Sequence, residues 1–221
     1  STWTFWFKNE SRQRHRWGMS SQFFQDPPEA SLLTPAHADK IRLRGALRSR
    51  RRALSDQEQQ SHSRALARLF TCSTLFLRCR RIALYLASDG EIDPLLLGDR
   101  AAHAGKQLYL PVLRGNTHNK LWFAEYRSGD RLKCNRFNIE QPDIRRRPPV
   151  SPWGLDLILL PLVGFDDKGN RIGMGGGFYD RTLAYLNHRV HWHRPLLIGV
   201  AHECQKLPFI DTQPWDIALD G

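Results

Sequence analysis

Between Ala36 and Leu54 apolar residues recur at one-turn and two-turn spacing, at Leu43, Leu47 and Leu54. Arg42, Arg44, Arg48 and Arg50–Arg52 crowd the remaining faces. That period predicts an amphipathic helix whose arginines, from Arg48 onward, form a solvated basic face. Ser55 to Glu58 reads S-x-x-E, a capping box that starts a second helix running through Phe70. The pattern then shortens. "RIALYLA" (81–87) is apolar and bounded by turn residues, which predicts a buried strand. Asp93 and Pro94 open a helix that Gly105 closes. "QLYLPVL" and "KLWFAEY" read as the next strands, and "LDLILLPL" (155–162) carries the strongest buried-strand signal. "FYDRTLAYLN" fits a helix and "PLLIGVA" (195–201) a last strand. Strands and helices alternating at these lengths predict an α/β fold, a mainly parallel sheet covered on both faces.

This alternation occupies residues 40–221, read as one domain. Arg145–Arg147 and Pro148–Pro149 form a basic connector inside it, not a boundary. Residues 1–39 have no period and run into Pro27, Pro28 and Pro35, so they read as a poorly ordered extension. Residues 1–18, ahead of Met19, read as non-native. Over the 221 residues, 41% are hydrophobic, enough for a packed core. Lys and Arg outnumber Asp and Glu by 33 to 22, a net charge of +11 that draws polyanions: nucleic acid, nucleotides or carboxylate-rich small molecules. Cys72, Cys79, Cys134 and Cys204 show no C-x-x-C pairing and read as reduced thiols of a cytoplasmic protein. The chain holds no apolar run long enough for a membrane span.

Candidate chemistry concentrates in "RIGMGGGFYDR", Arg171–Arg181, where Gly173, Gly175, Gly176 and Gly177 sit between a buried strand and a helix. Such a loop can turn successive backbone N–H groups toward an anion, with the start of the following helix behind them. It matches neither the Walker spacing nor G-x-G-x-x-G. Composition alone leaves a tight turn and a phosphate cradle both open. The flanking groups favour the cradle. Arg171 and Arg181 supply charge, Asp180 a carboxylate suited to Mg²⁺, and Phe178 and Tyr179 flat faces for a heteroaromatic ring.

"GNRIGMGGGFYDR" resembles the nucleotide-binding loop of the 5-formyltetrahydrofolate cyclo-ligases, also called 5,10-methenyltetrahydrofolate synthetases. Further blocks follow in order along most of the chain: "KIRLRGALRSRRRALS", "SDGEIDP", "FNIEQP", "LDLILLPLVGFDDKGN" and "PWDIALD". The three consecutive glycines with Met174 and Phe178 are most similar to bacterial members. The resemblance implies a three-layer α/β/α, Rossmann-like fold related to the NagB/RpiA/CoA-transferase type. It also implies ATP-dependent closure of 5-formyltetrahydrofolate, with or without a polyglutamate tail, to 5,10-methenyltetrahydrofolate, with release of ADP and phosphate. Mg²⁺ would be the cofactor and the protein a monomer.

Residue by residue, the resemblance implies ATP binding by Lys40, Arg44, Arg171, Ile172, Gly173, Met174, Gly175, Gly176, Gly177, Phe178 and Tyr179. Lys40, Arg44 and Arg171 would carry the catalytic charge. Leu86, Glu91, Phe137 and Tyr179 would receive the folate, and Asp180 and Asp216 the metal. Some relatives carry cations where this loop has Met174 and Gly176, and relatives continue past the position of Gly221, so the C-terminus reads as truncated. The alternative readings are a basic RNA-binding protein, and an ATP-independent sugar-phosphate or acyl-transfer enzyme on a related fold. His188, His191 and His193 read as a solvated loop without a zinc pattern. His202, in a segment that resembles the family's, is given no proton-transfer role, and Cys204 beside it reads as a bystander.

Overall fold

The computed structural model describes residues 35–113, 120–188 and 195–221. The expectations for residues 1–34, and for His191 and His193, lie outside the described residues. Helix α1 (Pro35–Arg52) begins at a proline, whose fixed φ suits a first helical position; it starts ahead of the expected domain boundary at residue 40. The capping box forms: Ser55 Oγ accepts from the Glu58 N–H while Glu58 reaches back to the Ser55 N–H, opening α2 (Asp56–Thr71). A short α3 (Thr74–Arg78) leads into β1 (Arg81–Ala83), and α4 (Leu95–His103) crosses to β2 (Gln107–Leu113). Asp93 accepts the Leu95 N–H at 2.9 Å, but the N-cap position is Pro94, so the expected Asp93 cap falls one residue ahead of the helix start. Strand β3 (Leu121–Tyr126) follows, then a hairpin of β4 (Leu132–Cys134) and β5 (Glu140–Pro142). Strand β6 (Leu157–Pro161) leads to a ribbon of β7 (Gly164–Phe165) and β8 (Arg171–Ile172), then α5 (Phe178–Leu183), a 3-10 turn and β9 (Leu196–Val200).

Five strands form one mixed, mainly parallel sheet in the order β3-β2-β1-β6-β9, with only β3 antiparallel to its neighbour. Side chains alternate across it with period two. Ile82, Leu108, Leu110, Leu157, Leu159 and Ile198 pack with Phe70 of α2, Phe76 of α3 and Leu97 of α4. Ala83, Tyr109, Ile158, Leu160 and Leu197 face the other way, against Leu183 of α5 and the C-terminal Ile217 and Leu219. Residues buried on both faces explain why these strands read as continuous apolar runs. The expected strand 81–87 keeps ladder pairing only to Ala83. Beyond it Leu84 still donates its N–H to Tyr109, and Leu84 and Tyr85 stay buried, while the chain peels away toward a tight turn.

A smaller core sits off the carboxyl end of the sheet. There Leu43 and Leu47 of α1 pack with Val163, Ile172, Leu207 and Ile210. This packing seats α1 beside the segment that follows β6. The reading of Arg48–Arg52 as a solvated face is corrected at one position. Arg51 is fully buried, because it lies on the same helical stripe as Leu43 and Leu47. All four cysteines are free, and no helix among the described residues is long and apolar enough to cross a membrane.

Candidate active site

Strand order puts a topological switch between β1 and β6. From β1 the chain crosses to β2 on one side; from β6 it proceeds to β9 on the other. Loops leaving two such neighbours diverge and open a crevice at their carboxyl ends, where open α/β sheets take ligands. The loops concerned are Ser88–Glu91, after β1, and the glycine segment, after the β7–β8 ribbon.

Ser88–Glu91 is a tight turn closed by the Glu91 N–H donating to the Ser88 carbonyl at 3.0 Å. Both central residues have positive φ, 53° at Asp89 and 76° at Gly90, which suits Asp and Gly. Arg51 braces the turn from α1. Its Nη2 donates to Asp89 Oδ2 at 2.8 Å, its Nε to the Asp89 carbonyl at 2.7 Å and its Nη1 to the Leu162 carbonyl at 3.3 Å. The same guanidinium stands 3.5 Å from Glu91 Oε1. Arg48 and Arg52 also pair with Asp89. Glu91 Oε2 accepts the Ser88 N–H at 3.1 Å, so the carboxylate is oriented by its own turn. Burial raises the Glu91 pKa, opposed by the Ser88 N–H and Arg51. Burial also raises the phenols of Tyr85 and Tyr179, and the Glu91 charge adds to both, which brings Tyr179 and Glu91 into one electrostatic neighbourhood. Leu86, half-buried, packs on the adjoining sheet core.

The glycine segment is presented by the β7–β8 ribbon, whose turn is organised by Asp166. Its Oδ1 accepts the Lys168 and Asn170 N–H groups, and its Oδ2 accepts the Ile210 N–H. Arg171 does not face open solvent. It is nearly buried and donates twice to Asp180 Oδ1, at 3.0 and 2.7 Å. The Ile217 N–H approaches the same oxygen at 3.4 Å, which leaves Asp180 Oδ2 outside these bonds. The Ile172 side chain belongs to the small core, so only its backbone borders the loop. Arg44 donates from Nε to the Gly173 carbonyl at 2.9 Å, and a Cβ on Gly175 would stand 3.7 Å from its Cζ. Burial lowers the Arg44 pKa, while the charge of Asp216 opposes that shift. Asp216 is itself held by the Gln213 N–H at 2.8 Å. Lys40, partly buried, stands one turn before Arg44 on α1.

Gly175 and Gly177 have φ of 101° and 60°, and a Cβ on Gly177 would come within 2.8 Å of Arg181 Nη1. Arg181 donates to the Gly176 carbonyl. Phe178 stacks edge-on against Phe137 at 5.7 Å, which brings the half-exposed tip of the β4–β5 hairpin to the loop. Met174 is exposed.

Of the residues singled out from the sequence, direct contacts join Arg44 to Gly173, Arg171 to Asp180 and Phe137 to Phe178. Arg51 was missed, although its four-residue spacing from Leu47 was a usable signal. Among the described residues no three His, Cys, Asp or Glu side chains cluster into a self-sufficient metal site. Asp180 and Asp216, beside the glycine segment, would suit Mg²⁺ instead, which is commonly held by one or two carboxylates plus substrate phosphates.

A family model described as the 5-formyltetrahydrofolate cyclo-ligase family matches residues 36–221. The chain is 39% identical over 174 residues to 5-formyltetrahydrofolate cyclo-ligase of Escherichia coli K12, covering 78% of this chain and 93% of that one. It is 38% identical over 142 residues to the Haemophilus influenzae enzyme, covering 64% and 74%. Among solved structures it resembles the NMR structure of Aquifex aeolicus 5,10-methenyltetrahydrofolate synthetase, with a TM-score of 0.68, 29% identity and coverage of 81% and 86%.

Proposed function

The chain belongs to the 5-formyltetrahydrofolate cyclo-ligase family, and from that premise we propose how its own residues divide the reaction. The protein is a 5-formyltetrahydrofolate cyclo-ligase, an enzyme of folate one-carbon metabolism in an ATP-dependent family. One observation carries the division of labour: α1 grips both loops of the switch crevice. Arg44 holds the glycine loop through Gly173, and Arg51 holds the Ser88–Glu91 turn. Nucleotide and folate are thereby assigned to opposite walls of one cleft built by a single chain.

The chemistry explains that arrangement. A formamide oxygen is a poor leaving group. Transfer of the γ-phosphoryl group to it makes an imidate phosphate; N10 of the folate then attacks the formyl carbon, the C–O bond breaks and phosphate leaves. The protein must position two substrates and neutralise charge around the transferring group. Lys40 and Arg44 face the phosphates, and the backbone of Gly173–Gly177 supplies N–H donors. Arg171, buried against Asp180, orients that carboxylate. Glu91 receives N–H donors of the pterin, with Leu86, Tyr179 and Phe137 lining its ring. Asp180, through Oδ2, and Asp216 are the residues that would hold Mg²⁺. When bound, Mg²⁺ supplies neutralisation of the triphosphate charge.

The test is the appearance of methenyl-folate absorbance from 5-formyltetrahydrofolate, with and without MgATP. Asp180→Asn should lower kcat about a hundredfold. Glu91→Gln should raise the folate KM and leave that for ATP nearly unchanged. No ATP-dependent product from folded protein would remove the reading.

A further inference from the structure

The Ser88–Glu91 turn is gripped from a second side, by a pair of histidines that neither sequence motifs nor the reaction account for. His202 is 1% exposed, and its Nε2 lies 3.0 Å from the Gly90 carbonyl. Its Nδ1 lies 2.7 Å from Nδ1 of His62 on α2, with the rings tilted at 51°. A carbonyl only accepts, so His202 Nε2 carries the proton and donates to Gly90. The neutral His202 ring then has a lone pair at Nδ1, and His62 Nδ1–H donates to it. The tautomers of both rings follow from this single chain of donors, His62 to His202 to Gly90.

The ring is placed independently of that chain. The His202 N–H donates to Gln205 Oε1 at 2.9 Å, and Gln205 Nε2 donates to the carbonyls of Leu162 and Val163 at 2.8 and 3.0 Å. Leu162 is also the anchor of Arg51. The end of β6 therefore serves as a common reference from which Arg51 reaches the Asp89 carbonyl and His202 the Gly90 carbonyl. With two adjacent carbonyls pinned, the next residue, Glu91, has its direction set. Of the charged groups around the pair, Glu58 of α2 and Arg51 of α1 act on His202 with opposite sign.

We propose that His202, oriented by His62, is a positioning residue for folate: it fixes the Gly90 carbonyl and so aims the Glu91 carboxylate at the pterin. The idea rests on the assignment of Glu91 to folate, and the experiment separates the two. Steady-state kinetics vary 5-formyltetrahydrofolate and ATP separately for wild type, His202→Phe, His202→Gln, His62→Phe and Glu91→Gln. His202→Phe keeps a ring but loses the donor, and should raise the folate KM about tenfold with the ATP KM within about twofold. His202→Gln retains an N–H for Gly90 and should recover most of that loss. His62→Phe should move the folate KM in the same direction by about threefold; with His202→Gln it carries the test should His202→Phe not fold. A folate KM unmoved in the His202 and His62 variants, while Glu91→Gln raises it, overturns the positioning role alone. A rise shared equally by folate and ATP overturns it as well. An unaffected folate KM in Glu91→Gln removes the folate assignment on which both stand.

Discussion

The two loops of the crevice are built on opposite plans. Ser88–Glu91 is braced by Arg51, Arg48 and Arg52 on Asp89, by His202 on Gly90 and by its own Ser88–Glu91 bonds. Gly173–Gly177 is held at Gly173 by Arg44 and at Gly176 by Arg181, and Met174, Gly175 and Gly176 are exposed. The proposed assignment of ligands accounts for the difference. A pterin edge has fixed donors and rewards a carboxylate aimed in advance. A triphosphate brings its own charge and metal, so a loop of backbone N–H groups can close around it on binding.

The contrast is broken most severely at Arg51. Arg51→Leu leaves the carboxylates of Asp89 and Glu91 without their buried cation and should destabilise the fold by about 3–5 kcal/mol. Urea unfolding reads this directly, and a loss below about 1 kcal/mol would demote the brace.

Acid should loosen the braced side next. Burial is the main cause holding His202 down to about 4, and burial also lowers His62. Unfolded histidine takes up its proton near 6.5. Below that pH the unfolded chain binds protons that the native pair refuses, so stability is full above about pH 6.5 and falls as pH drops, levelling off below about 4. The expected loss across this window is on the order of 3 kcal/mol. It should shrink in His202→Gln, when urea midpoints are compared at matched pH to cancel the carboxylates.

The open loop is sharpened by Gly177→Ala. The added Cβ meets Arg181 in a left-handed conformation, at about 1–2 kcal/mol. The ATP KM should rise about tenfold while the folate KM stays nearly level, the mirror image of His202→Phe. Far from both loops, Ser55→Ala removes the α2 capping box and should cost about 1 kcal/mol with activity intact. An activity loss there would show that α2, which carries His62, transmits strain to the turn.

Most of the architecture was legible along the chain because it rests on periodicities that neighbouring residues share. Leu157–Pro161 is buried on both faces and reads as an apolar run; Ser55 and Glu58 cap α2 wherever that helix packs. Strand ends were less legible. Ladder pairing at β1 stops at Ala83, since the turn after it, not the apolar run, decides where the chain leaves the sheet. In the site, the glycine loop announced itself by composition, and Glu91 and Asp216 became visible through resemblance. Arg51 was hidden among five other arginines of the same helix and identical chemistry, and it alone of the six is fully buried.

The sequence by itself determined most of the elements, the glycine loop and the family, because each is encoded by residues close together or by blocks in fixed order. Only the tertiary structure decided which arginines are buried, that Asp180 is held by Arg171, and that His62 and His202, 140 positions apart, meet through their Nδ1 atoms. Burial and hydrogen-bond partnership depend on groups brought together from distant elements. An arginine or histidine has no fixed role until the fold supplies its partner.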